Sequence, residues 1–427
     1  MKTLKRITAL LLALTVLLVA ASCAAADQPE ETTAEPIKKA EEIGTNVTPD
    51  KISSRTLTDE DVKKLADVYV DFFKTTTDAD KKSSLVSPLS IITALGMTAD
   101  GAAGNTKAQF EKLFNMTTEQ LDAVMNYYYG QLRSSEKVKF EYANSIWYST
   151  RKDLKVKDSY ISRVLGAYAP QLYTVDFGDP TTVGKINGWV DEHTDGMIKK
   201  IVDELDPATL MVLMNALVFD AKWADPYEDF QCYDRQFTSY SGVKKNVPTL
   251  NSSECMYVTL DNAAGFVKNY EGCDYKFVAL LPDKGVDVYD FVKSLDGASL
   301  IKALGSVSYE RVTTSMPKFK YDYDITLNDA LQSLGLVDAF TDYADFTEMT
   351  DVTEGNGIKI SKVIHKTHIE VDNAGTKAAA VTAVIMEATS AGPMAQPKSV
   401  IIDRPFVYLI VDSEYNLPVF MGIVTEI

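Results

Sequence analysis

The stretch from Gly375 to Thr382, Gly-Thr-Lys-Ala-Ala-Ala-Val-Thr, has too little bulk to anchor a core, yet almost nothing in it resists becoming a β-strand. Side chains alternate across a strand, so Thr376, Ala378, Ala380 and Thr382 share one face of any strand formed here. That face carries neither charge nor bulk, and it could slide into a sheet interior without burying an unpaired ion. It continues through Val384, Met386 and Ala388, while the charged Lys377 falls on the opposite face. Loop-like in composition and strand-like in pattern, the segment reads as a loop made to insert.

A chain of 427 residues is ample for one large core or two domains. Its 46% hydrophobic and 24% charged residues are those of an ordinary soluble globular protein. The formal charge of −17 argues against nucleic acid, because phosphate binding needs clustered Lys and Arg. Acidity of this kind speaks to solubility and not to fold.

The N-terminus reads as a targeting segment. Lys2, Lys5 and Arg6 precede an apolar run from Ile7 to Val19, followed by Ala20-Ala21-Ser22-Cys23. A charged start, a short apolar core and a small-residue cleavage site make residues 1–22 a signal peptide. The run is short for a membrane span. Cys23 after Ala-Ser resembles the lipobox of bacterial lipoproteins, with Ala20 where Leu is usual, so lipidation of Cys23 and plain secretion both stay open. From Ala24 to about Arg55 the chain is rich in Ala, Glu, Thr, Lys and Pro, a composition that buries too little surface to fold. Residues 23–55 are therefore expected to be a flexible, lipid-anchored tether, and residues 56–427 one domain at the cell surface or secreted. The membrane would be met only through the lipid.

Three further cysteines, Cys232, Cys255 and Cys273, lack CxxC spacing and are odd in number. That argues against a disulfide framework and a zinc site, and buried free thiols are expected. Thr58 with Asp61 suits a helix start with a loose capping box, ahead of Val62, Leu65, Ala66, Tyr69 and Phe72 at helical spacing. Ser87-Pro88 opens another helix that should stop near Asp100-Gly101. Lys276–Leu281 and Lys398–Ile402 read as strands, and Val407–Val411 with Val419–Val424 as a hairpin through Glu414-Tyr415-Asn416. Helices and strands mix without βαβ alternation, which favours an α+β fold.

Signs of catalysis are missing. Of the three histidines, His365 and His368 lie in a strand-like run, where residues three apart face opposite sides and cannot chelate one metal. No HExxH, GxSxG or Walker A sequence occurs. Gly101, Gly104, Asn105 and Thr106 read as a helix end and turn and not as a phosphate loop. The chain is expected not to be an enzyme and to need no cofactor or metal.

Several separated segments, in order, carry a family resemblance. They begin with Ser87-Pro88-Leu89-Ser90 and Gly101-Ala102-Ala103-Gly104-Asn105-Thr106. Val175-Asp176-Phe177, Ile186-Asn187-Gly188-Trp189-Val190 and Thr194–Ile198 follow, then Asn215-Ala216-Leu217-Val218-Phe219 with Lys222-Trp223. Met316-Pro317-Lys318-Phe319, Leu334–Phe340, Asp403-Arg404-Pro405-Phe406 and Phe420-Met421-Gly422 complete the set. The chain resembles a serpin from about Thr56 to Ile427. The resemblance implies three β-sheets, eight to nine helices and an exposed reactive loop. It also implies a suicide inhibitor, whose cleaved loop inserts into the main sheet and drags an acylated serine protease with it. A non-inhibitory serpin-fold binding protein is the alternative.

Under the resemblance, Gly375 matches the hinge glycine, Thr376 the first inward hinge position, and Ala378, Ala379 and Ala380 the small-residue run that leads to Thr382. Asn373 departs from the pattern, standing where inhibitory members usually have Glu. Counting from the hinge puts the scissile bond at Thr389–Ser390, with Met386 or Ala388 as alternatives, whereas counting back from Pro405-Phe406 points near Met394. The window Ala383–Ser390 has no Arg or Lys, which suits elastase- or subtilisin-like proteases over trypsin. Ser87, Ser90, Asn215 and His365 match a buried polar cluster, the shutter, under the central strands, and Trp223 is expected at the top of that sheet. A monomer is expected.

Overall fold

Local capping chemistry sets where the first helices begin. The Thr58 amide donates to Asp61 Oδ2 at 2.8 Å and the Asp61 amide donates to Thr58 Oγ1 at 3.2 Å, which starts helix α1 (Asp59–Thr77). Ser87 caps α2 (Pro88–Ala99), with Pro88 at the first helical position, and Asp100 closes it. The computed structural model describes residues 40–77, 81–132, 137–151, 154–351, 358–376 and 398–427, all in one unit, Lys39–Ile427. Helices α3 (Gly104–Phe114), α4 (Thr118–Gln131), α5 (Asp158–Tyr168) and α6 (Thr181–His193) follow. Then come α7 (Val288–Ser294), α8 (Gly297–Gly305) and α9 (Asn328–Ser333), making nine α-helices among the described residues.

The central sheet has seven strands. In spatial order they are β1 (Glu41–Ile43), β4 (Gln171–Val175), β3 (Val138–Ser149), β5 (Met211–Lys222), β13 (Gly375–Thr376), β12 (Ile364–Val371) and β11 (Phe319–Thr326). The remaining strands share the long β7 (Lys244–Leu260). Its residues up to Leu250 pair with β6 (Cys232–Thr238), those from Thr249 to Tyr257 pair with β10 (Ser308–Pro317), and β10 pairs with β14 (Lys398–Ile401). Its last residues pair with β8 (Ala263–Asn269) and lead through β9 (Tyr275–Pro282), β15 (Phe406–Asp412) and β16 (Pro418–Val424) to β2 (Ser84–Val86). All of these strands join through β7 into a second sheet, and the fold is α+β, with one continuous nine-stranded sheet where the family resemblance implies two.

Alternation along β3 shows why both faces of the central sheet are covered. Ile146 and Tyr148 join the main core, whereas Trp147 faces a second cluster with Val175, Phe177, Ile186, Trp189 and Met214. That second cluster seats α6 on the sheet's outer face. Asn187 fixes the chain beyond the helix, its Oδ1 accepting from Ile201 N at 2.8 Å and Val202 N at 3.1 Å.

Two expectations need correction. The tether does not run loose to residue 55, because β1 adds antiparallel to β4 and the Asp50 amide donates to Ser162 O at 2.9 Å. Ser162 Oγ also donates to Thr48 O at 2.6 Å, and a Cβ on Gly166 would meet Asp50 O at 2.3 Å. Composition measures how much a segment can bury by itself. It cannot see a free strand edge supplied from elsewhere, which needs only backbone. Ile43, Val47 and Ile52 add the apolar contact. The cysteines are free, as expected, but not buried: Cys255 and Cys273 are exposed and Cys232 is half-buried. Cys273 sits in a tight turn at φ 64°, where packing gives it no cover. The signal peptide, Cys23 and tether residues up to 39 lie outside the described residues. No described helix is long and apolar enough to cross a membrane.

Removing residues 1–54 uncovers the edge of β4. Amide hydrogen exchange of Gln171–Val175 should then speed up by roughly tenfold or more, while β15 and β16 stay protected. Unchanged exchange in β4 would mean that β1 contributes nothing to the edge.

Candidate functional site

The site is assembled around a break in the central sheet. Ladders run unbroken from β1 to β5 and from β12 to β11, but among the described residues no ladder joins β5 to β12 directly. Only β13 bridges them, Gly375 opposite Lys222, Thr376 opposite Ala221, and Thr376 opposite Val371. The hinge therefore already occupies the upper part of the break.

Gly375 is required by space, not by a special dihedral. A Cβ there would lie 2.1 Å from Ala221 O and 2.8 Å from Lys222 Cα, both backbone atoms that cannot step aside. Thr376 is buried, and its Oγ1 lies 2.5 Å from the Tyr270 hydroxyl. Burial raises the Tyr270 phenol far above its ordinary value, so it stays neutral and can donate. The turn into the hinge is held by Asp372, whose Oδ1 accepts from Ala374 N at 2.7 Å and Gly375 N at 3.2 Å.

Trp223 lies where β5 ends beside the hinge turn. Its backbone amide donates to Ala374 O at 3.0 Å and its indole N–H to Asp372 O at 2.9 Å. The ring stacks on Tyr270 with centroids 4.7 Å apart and meets Phe277 edge-on at 5.6 Å. Beside it, Lys268 and Glu254 form a buried ion pair at 2.9 Å, with the ammonium 4.4 Å from the centroid of Tyr227. Asn373 has its own partner: its Oδ1 accepts from the Lys318 ammonium at 3.1 Å, so a hydrogen bond with charge on the donor only stands where the family pattern leads one to expect an ion pair.

Lower down, Ser87 ties three elements together. Its amide donates to His365 Nε2 at 3.0 Å, its hydroxyl donates to Val419 O at 2.9 Å, and the same oxygen accepts from Ser90 N at 3.2 Å. Asn215 does not bond to this group. It lies directly opposite Asn144 in the β3–β5 ladder and donates to Asn144 Oδ1 at 2.6 Å. Asn144 in turn donates to Tyr168 O at 3.0 Å. Ser90, Asn215 and His365 nevertheless line one cavity of about 40 Å³, room for at least one water, on the line of the break. Asn215 Oδ1 is buried without a partner among the described residues.

Sequence reasoning missed Tyr270, Asp372, Asn144 and the Lys268–Glu254 pair. Nothing local marks them, since each matters only through a strand brought beside it. Ala378, Ala379, Ala380, Thr382, Met386, Ala388, Thr389 and Ser390 lie outside the described residues. No group of three or more potential metal-ligating His, Cys, Asp or Glu occurs among the described residues.

The family model described as serpin (serine protease inhibitor) matches residues 63–427. The chain belongs to the serpin family. An uncharacterized serpin-like protein of Thermococcus kodakarensis is 30% identical over 345 residues, covering 79% of each chain. The thermophilic serpin tengpin in its native state superposes with a TM-score of 0.86 at 37% identity, covering 91% of this chain and all of tengpin. Tengpin in its latent state superposes with a TM-score of 0.77 at 35% identity, covering 88% of this chain. Serpins are in general inhibitors of proteases and not catalysts, and this serpin's fold and family support that general function.

Two outcomes test the geometry. Gly375→Ala should unseat the hinge, which the fluorescence of the Trp223 indole reports; a spectrum identical to the wild type's would remove the space argument. His365 is pushed down to about 4 by burial, from an ordinary value of 6.5. The unfolded chain therefore takes up a proton near pH 6.5 that the folded one refuses until about pH 4. The contribution is complete above pH 6.5 and is lost as the pH falls toward 4, roughly 3 kcal/mol in all. The His365→Gln variant should lose less thermal stability than the wild type between about pH 7 and pH 5. Equal losses would place the acid sensitivity elsewhere.

Proposed function

We propose that this serpin is a suicide inhibitor of serine endopeptidases with elastase- or subtilisin-like specificity, presented outside the cell. The observation that carries the reading is the buried Thr376 side chain, already within the central sheet between β5 and β12, which share no direct ladder among the described residues. Once the protease's catalytic serine has attacked the scissile carbonyl and the downstream peptide has left as its amine, the new loop end, held to the protease as an ester, can follow Thr376 into that break. About fifteen residues at roughly 3.3 Å each would make a strand on the order of 50 Å long. Each new ladder bond is worth about 1 kcal/mol net, so the sum reaches several kcal/mol or more. Such a gain requires a starting state protected kinetically and not by equilibrium.

Specificity rests on the loop sequence. Small residues such as Ala388 or Thr389 fit a shallow primary pocket, and Ala383–Ser390 offers no basic side chain to a trypsin-like one. A lipid on Cys23, with the residues after it as a spacer, would hold a monomeric inhibitor at a bacterial cell surface. Mass spectrometry of the mature N-terminus tests that part.

The main experiment mixes the chain lacking residues 1–26 with elastase, subtilisin and trypsin. Covalent complexes on denaturing gels are expected with elastase or subtilisin, releasing a peptide that begins at Ser390 or within a few residues of it, and with a large rise in thermal stability of the cleaved chain. Rapid trapping of trypsin would overturn the specificity. Cleavage without any complex would favour a binding protein instead. Thr376→Arg should stay folded but be consumed as a substrate, because a buried unpaired charge opposes insertion. Covalent complexes that persist undiminished in that variant would count against insertion.

A further inference from the structure

Directly beside the point where the loop leaves the sheet, the chain displays aromatic side chains that the core does not use. Tyr227 is buried, and its amide donates to Asn373 O at 2.9 Å, two residues before the hinge glycine. Immediately after it, a single 3₁₀ turn, Asp229–Gln231, holds Phe230 80% exposed. The turn is not a loose excursion. The Glu228 amide donates to Gln231 Oε1 at 2.8 Å, the Gln231 amide to Glu228 O at 2.9 Å, and Asn251 Nδ2 to Gln231 O at 2.9 Å. Three residues on, in β6, Tyr233 is 47% exposed, with the Arg235 guanidinium 5.3 Å from its ring centroid and bonded to its hydroxyl at 2.9 Å.

Both ends of the reactive loop converge on this sheet. The upstream end is fixed through Asn373 to Tyr227. The downstream end begins at Lys398 in β14, which reaches β6 through β10 and β7. A protease engaged on the loop approaches the end of the molecule at which Asn373 meets Tyr227, and Phe230 stands three residues beyond Tyr227. A fully exposed phenylalanine held rigidly at such a place exposes apolar surface with no folding benefit, and rigid aromatic anchors are what protein interfaces use. Around it, Asp225, Glu228, Asp229 and Asp234 are exposed carboxylates.

We propose that Phe230 and Tyr233, with this acidic rim, form a docking surface for the protease engaged on the reactive loop, separate from the bait sequence itself. The proposal rests on the inhibitory reading above. The partner it fits is a serine protease whose surface next to the active-site cleft offers an apolar patch bordered by Lys and Arg. Charge of opposite sign around an apolar contact speeds the encounter and fixes orientation.

The test compares the wild type with a Phe230→Ala/Tyr233→Ala double variant and an Asp225→Lys/Asp229→Lys variant, against each protease that the wild type traps. Both side-chain pairs are exposed, so thermal unfolding should be unchanged. Binding to the same protease with its catalytic serine replaced by alanine should weaken by roughly tenfold in the aromatic variant. Covalent complex formation should slow by a similar factor, with the cleaved bond and the number of inhibitor molecules consumed per protease unaltered. In the lysine variant the slowing should shrink as salt is raised. Equal rates for wild type and variants with every trapped protease would overturn the docking surface and leave inhibition standing. A wild type that traps no protease would overturn both. A wild-type dimer in sedimentation that the aromatic variant abolishes would assign the patch to a second copy of the chain, and would likewise overturn the proposal.

Discussion

Two residues bridge the described strands in the middle of the central sheet, and the rest of the structure is arranged around that scarcity. Gly375 fits between β5 and the turn only because it has no Cβ, with Ala221 O where that carbon would stand. Thr376 follows it into the interior and finds the Tyr270 hydroxyl. Among the described residues β13 is the only strand between β5 and β12, and those two strands share no ladder of their own. A sheet that accepts a longer strand there gains the ladder bonds that the two lack.

Polar groups buried along that line bind the two halves without closing them. Ser87 spends its amide, its hydroxyl proton and its lone pair on β12, β16 and the start of α2. Asn215 is committed to β3, on the other side, through Asn144. The line of separation thus runs between two groups that share no hydrogen bond among the described residues, with a small cavity between them and Asn215 Oδ1 left without a described partner. Each half keeps its own hydrogen bonds if the strands part, so opening need not strand many buried polar atoms. At the top, Trp223, Tyr270 and Phe277 form an aromatic base on which the hinge turn rests, tied by the indole bond to Asp372 O.

Much of this was legible in residue order. Thr58 with Asp61, and Ser87 with Pro88, announced helix starts through side-chain chemistry that acts within four residues. The alternation of β12 separated His365 from His368, one facing the core and one facing Asp322, with His368 Nδ1 2.6 Å from that carboxylate. The hinge pattern pointed to an inward Thr376. What escaped was set by distance along the chain. Tyr270 is 106 residues from Thr376, and Asn144 is 71 from Asn215, so no spacing rule connects them. The docked segment at residues 41–54 escaped for a related reason: a polar stretch cannot report that an open strand edge awaits it.

The sequence by itself determined which segments form helices and strands, that the Gly375–Thr376 face carries no charge, and the ordered motifs of a serpin. Those properties depend on neighbours within a turn or on side-chain alternation, both of which are written in order. The tertiary structure alone decided that the hinge is seated, that Asn373 bonds to Lys318, that Asn215 turns to Asn144, and that Phe230 stands exposed beside the loop. Each is a matter of which distant backbone leaves room or offers a partner, and only the folded chain specifies that.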